Sequence, residues 1–450
     1  MRRARGYRGD VTLGSATGSL PLGGAGDSAA GSPSAGQSPA ERRRYRRMML
    51  ALLAAGIATF AELYAVQGVL PELARSLSVT PADAALTVSA ATTGLAVGVL
   101  GWASIADRIG RLRSMRIAVL AAVILGGVAC LVPDLGTLVA LRFLSGAVLG
   151  AVPVLAVAYV HENLTARRAA AAAAVYISGT TIGGAAGRLL AGPLGEPLGW
   201  RGALLVVGAV SLAAALVFIL LAPTSPAVPP VTRPLTAEPV AAEAAAASTP
   251  STVTGRLTQR QRIHRALRAP LLRLDLQALL LTGCFVAVYN FLAFRLEAAP
   301  FHLDPGWVSL LFLAYGAGTI TSRLAGRWLP RVGAERVILV GLAALLAGLG
   351  IMAIDSVPVI VAGLILFTGG QFLAHAAAVA ATGHRATHDH RAQASALYNI
   401  AFYLGSGVGG WALGLVFQQL GWAAMSITIG IVLVALAIFT ATALRRRASA

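Results

Sequence analysis

No lysine occurs among the 450 residues, so all 36 basic side chains are arginine. Charge of either sign is scarce: 12% of the residues are charged and 6% aromatic, against 57% hydrophobic and a mean hydropathy of +0.74. A soluble domain carries about 25% charged residues. The shortage excludes one and indicates a chain that resides in lipid. Two cysteines, Cys130 and Cys284, each sit inside an apolar run, which excludes a disulfide framework. Outside the apolar runs there is no serine nucleophile elbow, no phosphate-cradling glycine loop and no pair of facing carboxylates. An enzyme therefore has no foothold, and no cofactor is expected.

The formal charge of +18 invites a nucleic-acid reading. The arginines are spread over many short connections without an aromatic-rich soluble domain, so no nucleic-acid partner is expected. Their distribution across the apolar segments carries more information. Three fall in connections on one side (Arg75, Arg201, Arg295) and two inside segments (Arg142, Arg188), leaving 31 of the 36 on the other side. That bias marks the cytoplasmic side of a membrane protein.

A duplication organises the chain. Residues 176–200 recur as 398–422: Tyr176 matches Tyr398, Gly183 matches Gly405, Gly187 matches Gly409, and Gly199-Trp200 matches Gly421-Trp422, all at one offset of 222. Glycines at this density let lipid-embedded helices approach closely, which casts Gly179, Gly183, Gly187, Gly405 and Gly409 as packing positions. Twelve apolar segments follow from hydropathy. The first half holds 48–70, 84–106, 117–132, 135–160, 169–194 and 203–222; the second holds 274–294, 307–322, 337–354, 357–381, 394–417 and 422–444. The expected fold is an all-α integral membrane protein, twelve transmembrane helices in two pseudo-symmetric bundles of six, with both termini cytoplasmic. Residues 1–47 cannot bury a core and read as a disordered basic tail. The Pro/Ala-rich stretch 223–270 reads as a cytoplasmic linker whose basic end, 259–267, suits an amphipathic surface helix. Residues 445–450 form a short cytoplasmic tail.

Several polar residues stand where lipid should exclude them. Glu62 and Arg142 lie at similar depth in their segments when helix rise is counted, and burying either alone is costly. They are expected to pair. The Arg142 position is occupied by Ile365 in the second half, so the charge breaks the duplication. The loop Asp107-Arg108-Ile109-Gly110-Arg111 is matched 223 residues later by a loop containing Arg331 and Gly333, which suits a charged latch at a helix exit. His384, His388 and His390 have a spacing that could hold a metal, but beside Arg385 and Arg391 they read as solvated loop histidines. No metal is expected.

Asp107-Arg108-x-Gly110-Arg111, followed by Arg142-x-x-Ser145-Gly146, resembles the paired signatures of the major facilitator superfamily. Gly179-x-x-x-Gly183-Gly184-x-x-Gly187 is similar to the fifth-span signature of its antiporter branches, with Arg188 standing where a glycine is usual. Residues 60–86 and 283–303 resemble bacterial inner-membrane permeases described as sugar or drug efflux proteins. The resemblance covers 48–444 and implies a monomeric transporter in the cell inner (plasma) membrane, with a small-molecule substrate and protons as partners. It places the first, fourth, seventh and tenth spans around a central cavity. Glu62 and Arg142 would then couple protons to transport, and Tyr64, Gln67, Asn290, Gln371 and His375 would line the substrate path. Arg188 is expected to pair across helices or to snorkel outward. A cavity with one acid and few aromatics fits cationic drugs, sugars or amino-acid derivatives alike. Proton-driven export is the first expectation and import by proton symport the second. A receptor or scaffold acting through the linker is the alternative from another class.

Overall fold

The computed structural model describes residues 38–224, 269–387 and 390–448. The tail before residue 38, the linker arginines with the expected helix at 259–267, and His388 lie outside the described residues. The described residues from 44 onward cluster as one compact unit. Regular structure among the described residues is helical throughout. In the first half it comprises α1 (Pro39–Tyr64), α2 (Leu70–Leu77), α3 (Pro81–Ile109), α4 (Arg111–Ala129), α5 (Leu135–Leu149), α6 (Ala151–Asn163) and α7 (Ala166–Leu221). The second half comprises α8 (Ala269–Glu297), α9 (Pro305–Ser309), α10 (Tyr315–Val332), α11 (Ala334–Ile351), α12 (Val357–Arg385), α13 (Arg391–Leu404) and α14 (Gly410–Ala448).

Ten helical runs among the described residues are long and apolar enough to cross a membrane. Two of them, 168–221 and 393–445, are 54 and 53 residues long, more than twice the roughly 20 residues one crossing needs. Each is broken by a glycine with positive φ, Gly199 at 67° and Gly421 at 78°. Counting each broken run twice turns ten into the twelve crossings that the apolar segments predict. Gly110 and Gly333 end α3 and α10 in the same way, with φ of 88° and 80°. The two pairs are 222 and 223 residues apart, so the duplication seen in the sequence also exists in the backbone.

The helix starts are chemical. Thr80 accepts a hydrogen bond from the Asp83 backbone N–H with Pro81 following it, Asp134 accepts from that of Thr137 at 2.8 Å, and Asp304 accepts from that of Gly306 at 2.7 Å. Each satisfies a backbone donor that a helix start leaves unpaired. The first helix begins nine residues before the expected 48, because Ser38 caps Glu41 and the arginine-rich stretch 42–47 extends the helix.

At Gly110 and Gly333 nothing lies within 4 Å of where a Cβ would stand. The backbone there, at ψ of 145° and 160°, occupies a region that is cheap for glycine alone. Gly110→Ala and Gly333→Ala should each lower stability by about 1–3 kcal/mol with no packing penalty, as thermal unfolding of the purified variants would show.

Helices pack closely through small residues. On α7, Gly179, Gly183 and Gly187 lie against the backbone of Leu53, Ile57 and Ala61 of α1, and Gly405 and Gly409 lie against Leu279 and Gly283 of α8. The halves meet where α2 touches α8, where α9 sits on α7, and where α13 and α14 run along α3. Two faces result: an arginine-rich face with the Gly110 and Gly333 loops, and an arginine-poor face with the Gly199 and Gly421 breaks.

Candidate functional site

The α1 helix runs on through a 3-10 segment at Ala65–Val69 before α2 begins. It presents two chemically different sides. Successive residues on a helix are rotated by about 100°, so Tyr64 is turned about 200° from Glu62. Glu62 looks into the first half and Tyr64 looks toward the second.

On the inner side, Arg142 of α5 reaches Glu62. Its Nη1 lies 3.7 Å from Glu62 Oε1 and donates to the Glu62 carbonyl at 3.2 Å, while Nη2 donates to the Leu63 carbonyl at 2.6 Å. Both side chains are buried, at 6% and 3% exposure. The carboxylate rests on Gly126 of α4, where a Cβ would collide with Glu62 Oε1. The expected pair is formed. It lies among α1, α4 and α5 of the first half, on the side of α1 opposite Tyr64, and not between the two halves where the resemblance put it.

The other side of α1 faces the second half and gathers around Arg188. This arginine is 3% exposed on α7. Its Nε donates to Gln67 Oε1 at 2.6 Å and its Nη1 to the Gly184 carbonyl at 2.8 Å. Three rings surround the guanidinium: Tyr64 at 4.1 Å, Tyr315 at 5.0 Å and Phe312 at 5.1 Å. Gln67 in turn donates to Asn290 Oδ1 of α8 at 2.5 Å, linking the halves through positions 223 residues apart. Tyr64, Gln67 and Asn290 are thus brought together around Arg188.

Gln371 and His375 stand one turn apart on α12. Gln371 is buried with Oε1 unpartnered, and His375 meets the Tyr398 hydroxyl at 3.0 Å and the Phe402 ring at 4.7 Å. Both belong to the second half, and neither is among the hydrogen-bond or ring partners of Arg188. The expectation of few aromatics fails here. Tyr289 lies 4.8 Å from Tyr315 and 5.5 Å from Phe312, and Phe285 and Phe372 extend the group. These rings come from three separate spans, so no single stretch of sequence displays them together.

Arg188 is the residue that sequence reasoning undervalued. Its side chain crosses to a neighbouring helix and does not snorkel outward. The signal was present: a charge within a span marks a functional site by default, and this one replaces a glycine in a signature. Asp275, buried on α8 with Oδ1 unpartnered, was overlooked because it lies one residue inside the expected start of its span.

At the arginine-poor face the halves are clamped together. Arg75 of α2 pairs with Glu297 of α8 at 2.8 Å and with Glu72 at 3.1 Å, and Ser309 of α9 sits on Gly192 of α7. Among the described residues no ion pair joins the halves through the loops at the arginine-rich face. Asp107, Arg108 and Arg331 are exposed, Asp107 forms no ion pair with a described residue, and Arg111 pairs with Glu162 within the first half. Among the loop histidines, His384 is exposed and His390 turns onto the Thr387 hydroxyl at 2.9 Å.

Known proteins share this architecture. Over 406 residues, 90% of this chain and 92% of the relative, it is 35% identical to the inner membrane transport protein YnfM of Escherichia coli (strain K12). A D-xylose-proton symporter superposes with a TM-score of 0.68 at 15% identity, covering 88% of this chain and 97% of the other. A bacterial homologue of the human lysosomal transporter Spinster, in an inward-facing and occupied conformation, gives 0.67 at 16%, covering 91% and 98%. The family model of the Major Facilitator Superfamily matches residues 48–299 and 278–450. The protein is a multi-pass membrane transporter and belongs to the Major Facilitator Superfamily.

Proposed function

We propose that the protein exports a small organic compound in exchange for protons, by rocking residues 48–222 against residues 271–444 around a central site. The observation that carries this reading is the contact of Glu62 with Arg142: an acid and an arginine, buried together in one half of a duplicated scaffold. A structural cross-link would not need to be ionisable. A coupling device would.

The geometry suggests a route for the coupling. Arg142 holds the carbonyls of Glu62 and Leu63 immediately before the chain tightens into the 3-10 segment that bears Gln67. Such a segment inside a long helix suits a hinge. When Glu62 takes up a proton, Arg142 loses its counter-charge and leans on those carbonyls alone. That shifts the α1 segment carrying Tyr64 and Gln67. Protonation would thus act on the substrate side through the backbone of α1 and not by direct competition.

In this reading the arginine-rich face is cytoplasmic, as are both termini, and the membrane is the cell inner membrane, as it is for the E. coli relative by name. With the opposite face clamped, the conformation is open to the cytoplasm. The loops of Asp107, Arg108, Gly110 and Arg111 and of Arg331 and Gly333 would engage when that side closes. Substrate would pass Tyr64, Gln67, Asn290, Gln371 and His375. The working unit is a monomer.

Import by symport is the second reading, favoured by the fold shared with a D-xylose-proton symporter. Vesicles holding a pH-sensitive dye separate the two. A transported compound added on one side should draw protons against its own movement if the protein is an antiporter and along with it if it is a symporter. Transport with no pH change of either sign would overturn proton coupling.

A further inference from the structure

We propose that the Arg188 site binds the anionic group of its cargo, so that the transported compounds are organic anions with an aromatic or apolar body. This rests on the reading that cargo passes between the two halves. Glu62 does not supply a charge there, because it faces the other way and is matched by Arg142. The charge that meets Tyr64, Gln67 and the rings of the second half is a cation. No carboxylate among the described residues lies within 4.0 Å of Arg188, although it is 3% exposed and flanked by both halves.

An unpaired charge at such a depth is costly unless something offsets it. The protein offsets part of that cost with neutral groups. Two acceptors, Gln67 Oε1 and the Gly184 carbonyl, take one N–H each. A guanidinium carries five N–H groups, so three remain, including both on Nη2. The negative faces of Tyr64, Phe312 and Tyr315 hold the cation in place without neutralising it. An aspartate or glutamate would have been the simple partner. Leaving that place to rings and an amide keeps a planar fork free to take a carboxylate in two parallel hydrogen bonds.

The surroundings specify the rest of the ligand. Beyond Phe312 and Tyr315 lie Tyr289, Phe285 and Phe372, a continuous aromatic cluster in the second half. Asn290, which Gln67 joins to the cluster, keeps an unpartnered buried Nδ2 as a further donor. A fork, a donor and an aromatic cluster suit a carboxylate on a ring or an apolar chain. A cation would meet repulsion from Arg188, which no carboxylate among the described residues approaches to within 4.0 Å.

The test uses the full-length protein purified in a non-ionic detergent, where no gradient exists and the outcome is independent of proton coupling. Binding is measured for matched sets that differ only in the polar group: benzoate, benzyl alcohol and benzylamine; indole-3-acetate, tryptophol and tryptamine; hexanoate, hexanol and hexylamine. Thermal stabilisation and quenching of intrinsic fluorescence report affinity. In at least one set the acid should bind tenfold or more tightly than its alcohol, with the amine weakest. Arg188→Gln should weaken that acid by about ten- to a hundred-fold, the effect of losing a charge-assisted hydrogen bond, and leave the alcohol unchanged. Arg188→Lys should keep the acid first. If Arg188→Gln does not fold, the wild-type order and Arg188→Lys decide. Acids binding no better than alcohols in every set, or acid preference surviving in Arg188→Gln, overturns the proposal. Proton flux that fails while acid preference holds would remove the coupling scheme and leave this site standing.

Discussion

In vesicles, Glu62→Gln should transport its substrate down a concentration gradient but fail to accumulate it against one when a pH difference is imposed. Glutamine keeps the shape of the side chain over Gly126, and the Arg142 hydrogen bonds to the Glu62 and Leu63 carbonyls do not involve the carboxylate. What disappears is the ability to exchange a proton and the charge facing Arg142. Removing one member of a buried ion pair costs about 3–5 kcal/mol, and the two carbonyl contacts that remain place the expected loss near the lower end. Stability should fall, therefore, but the protein should still fold. A purely structural pair predicts the opposite pattern, a lower unfolding temperature with gradient-driven accumulation intact. Measuring both quantities on the same variant separates the two roles.

Gly183→Leu should lower the stability of the first half sharply. A Cβ at this position would overlap the Ile57 carbonyl and lie 2.6 Å from the Ile57 Cα, and both are backbone atoms that cannot turn aside. Overpacking typically costs about 1–3 kcal/mol, and here two whole helices must separate to relieve it. The separation also has a chemical consequence, since the 3-10 segment continuing α1 carries Gln67 and α7 carries Arg188 five residues beyond Gly183. Moving the helices apart pulls the amide from the guanidinium, so anion binding should weaken along with the unfolding temperature. Gly208→Leu is the control, because nothing lies within 4 Å of its Cβ direction. Equal losses at the two positions would show that the close approach of α1 and α7 is not what holds the first half together.

Both predictions turn on features of unequal visibility in the sequence. The duplication was legible because it is written in glycines, which are conserved between the copies by geometry: Gly110 and Gly333, and Gly199 and Gly421, share positive φ as well as spacing. The pairing of Glu62 with Arg142 was legible because depth along a helix can be counted. Direction around the helix was also countable, and the two-residue step from Glu62 to Tyr64 shows that both cannot face one cavity. The cluster around Arg188 was less accessible. Its members come from α1, α7, α8 and the stretch from Leu310 to Tyr315, and only tertiary packing brings them together. The first boundary was missed for a simpler reason: hydropathy marks where lipid begins, whereas the Ser38 cap marks where the helix begins.

The breaks at Gly199 and Gly421 turn the chain within a single residue, leaving no loop between successive crossings. A protease or an antibody approaching from that side finds almost nothing to hold. Of the connections there, 298–304 is the longest stretch of non-helical backbone, and it adjoins Glu297, which grips Arg75. A binding protein raised against the segment would therefore press on the clamp itself, and could be used to lock the transporter or to prise it open.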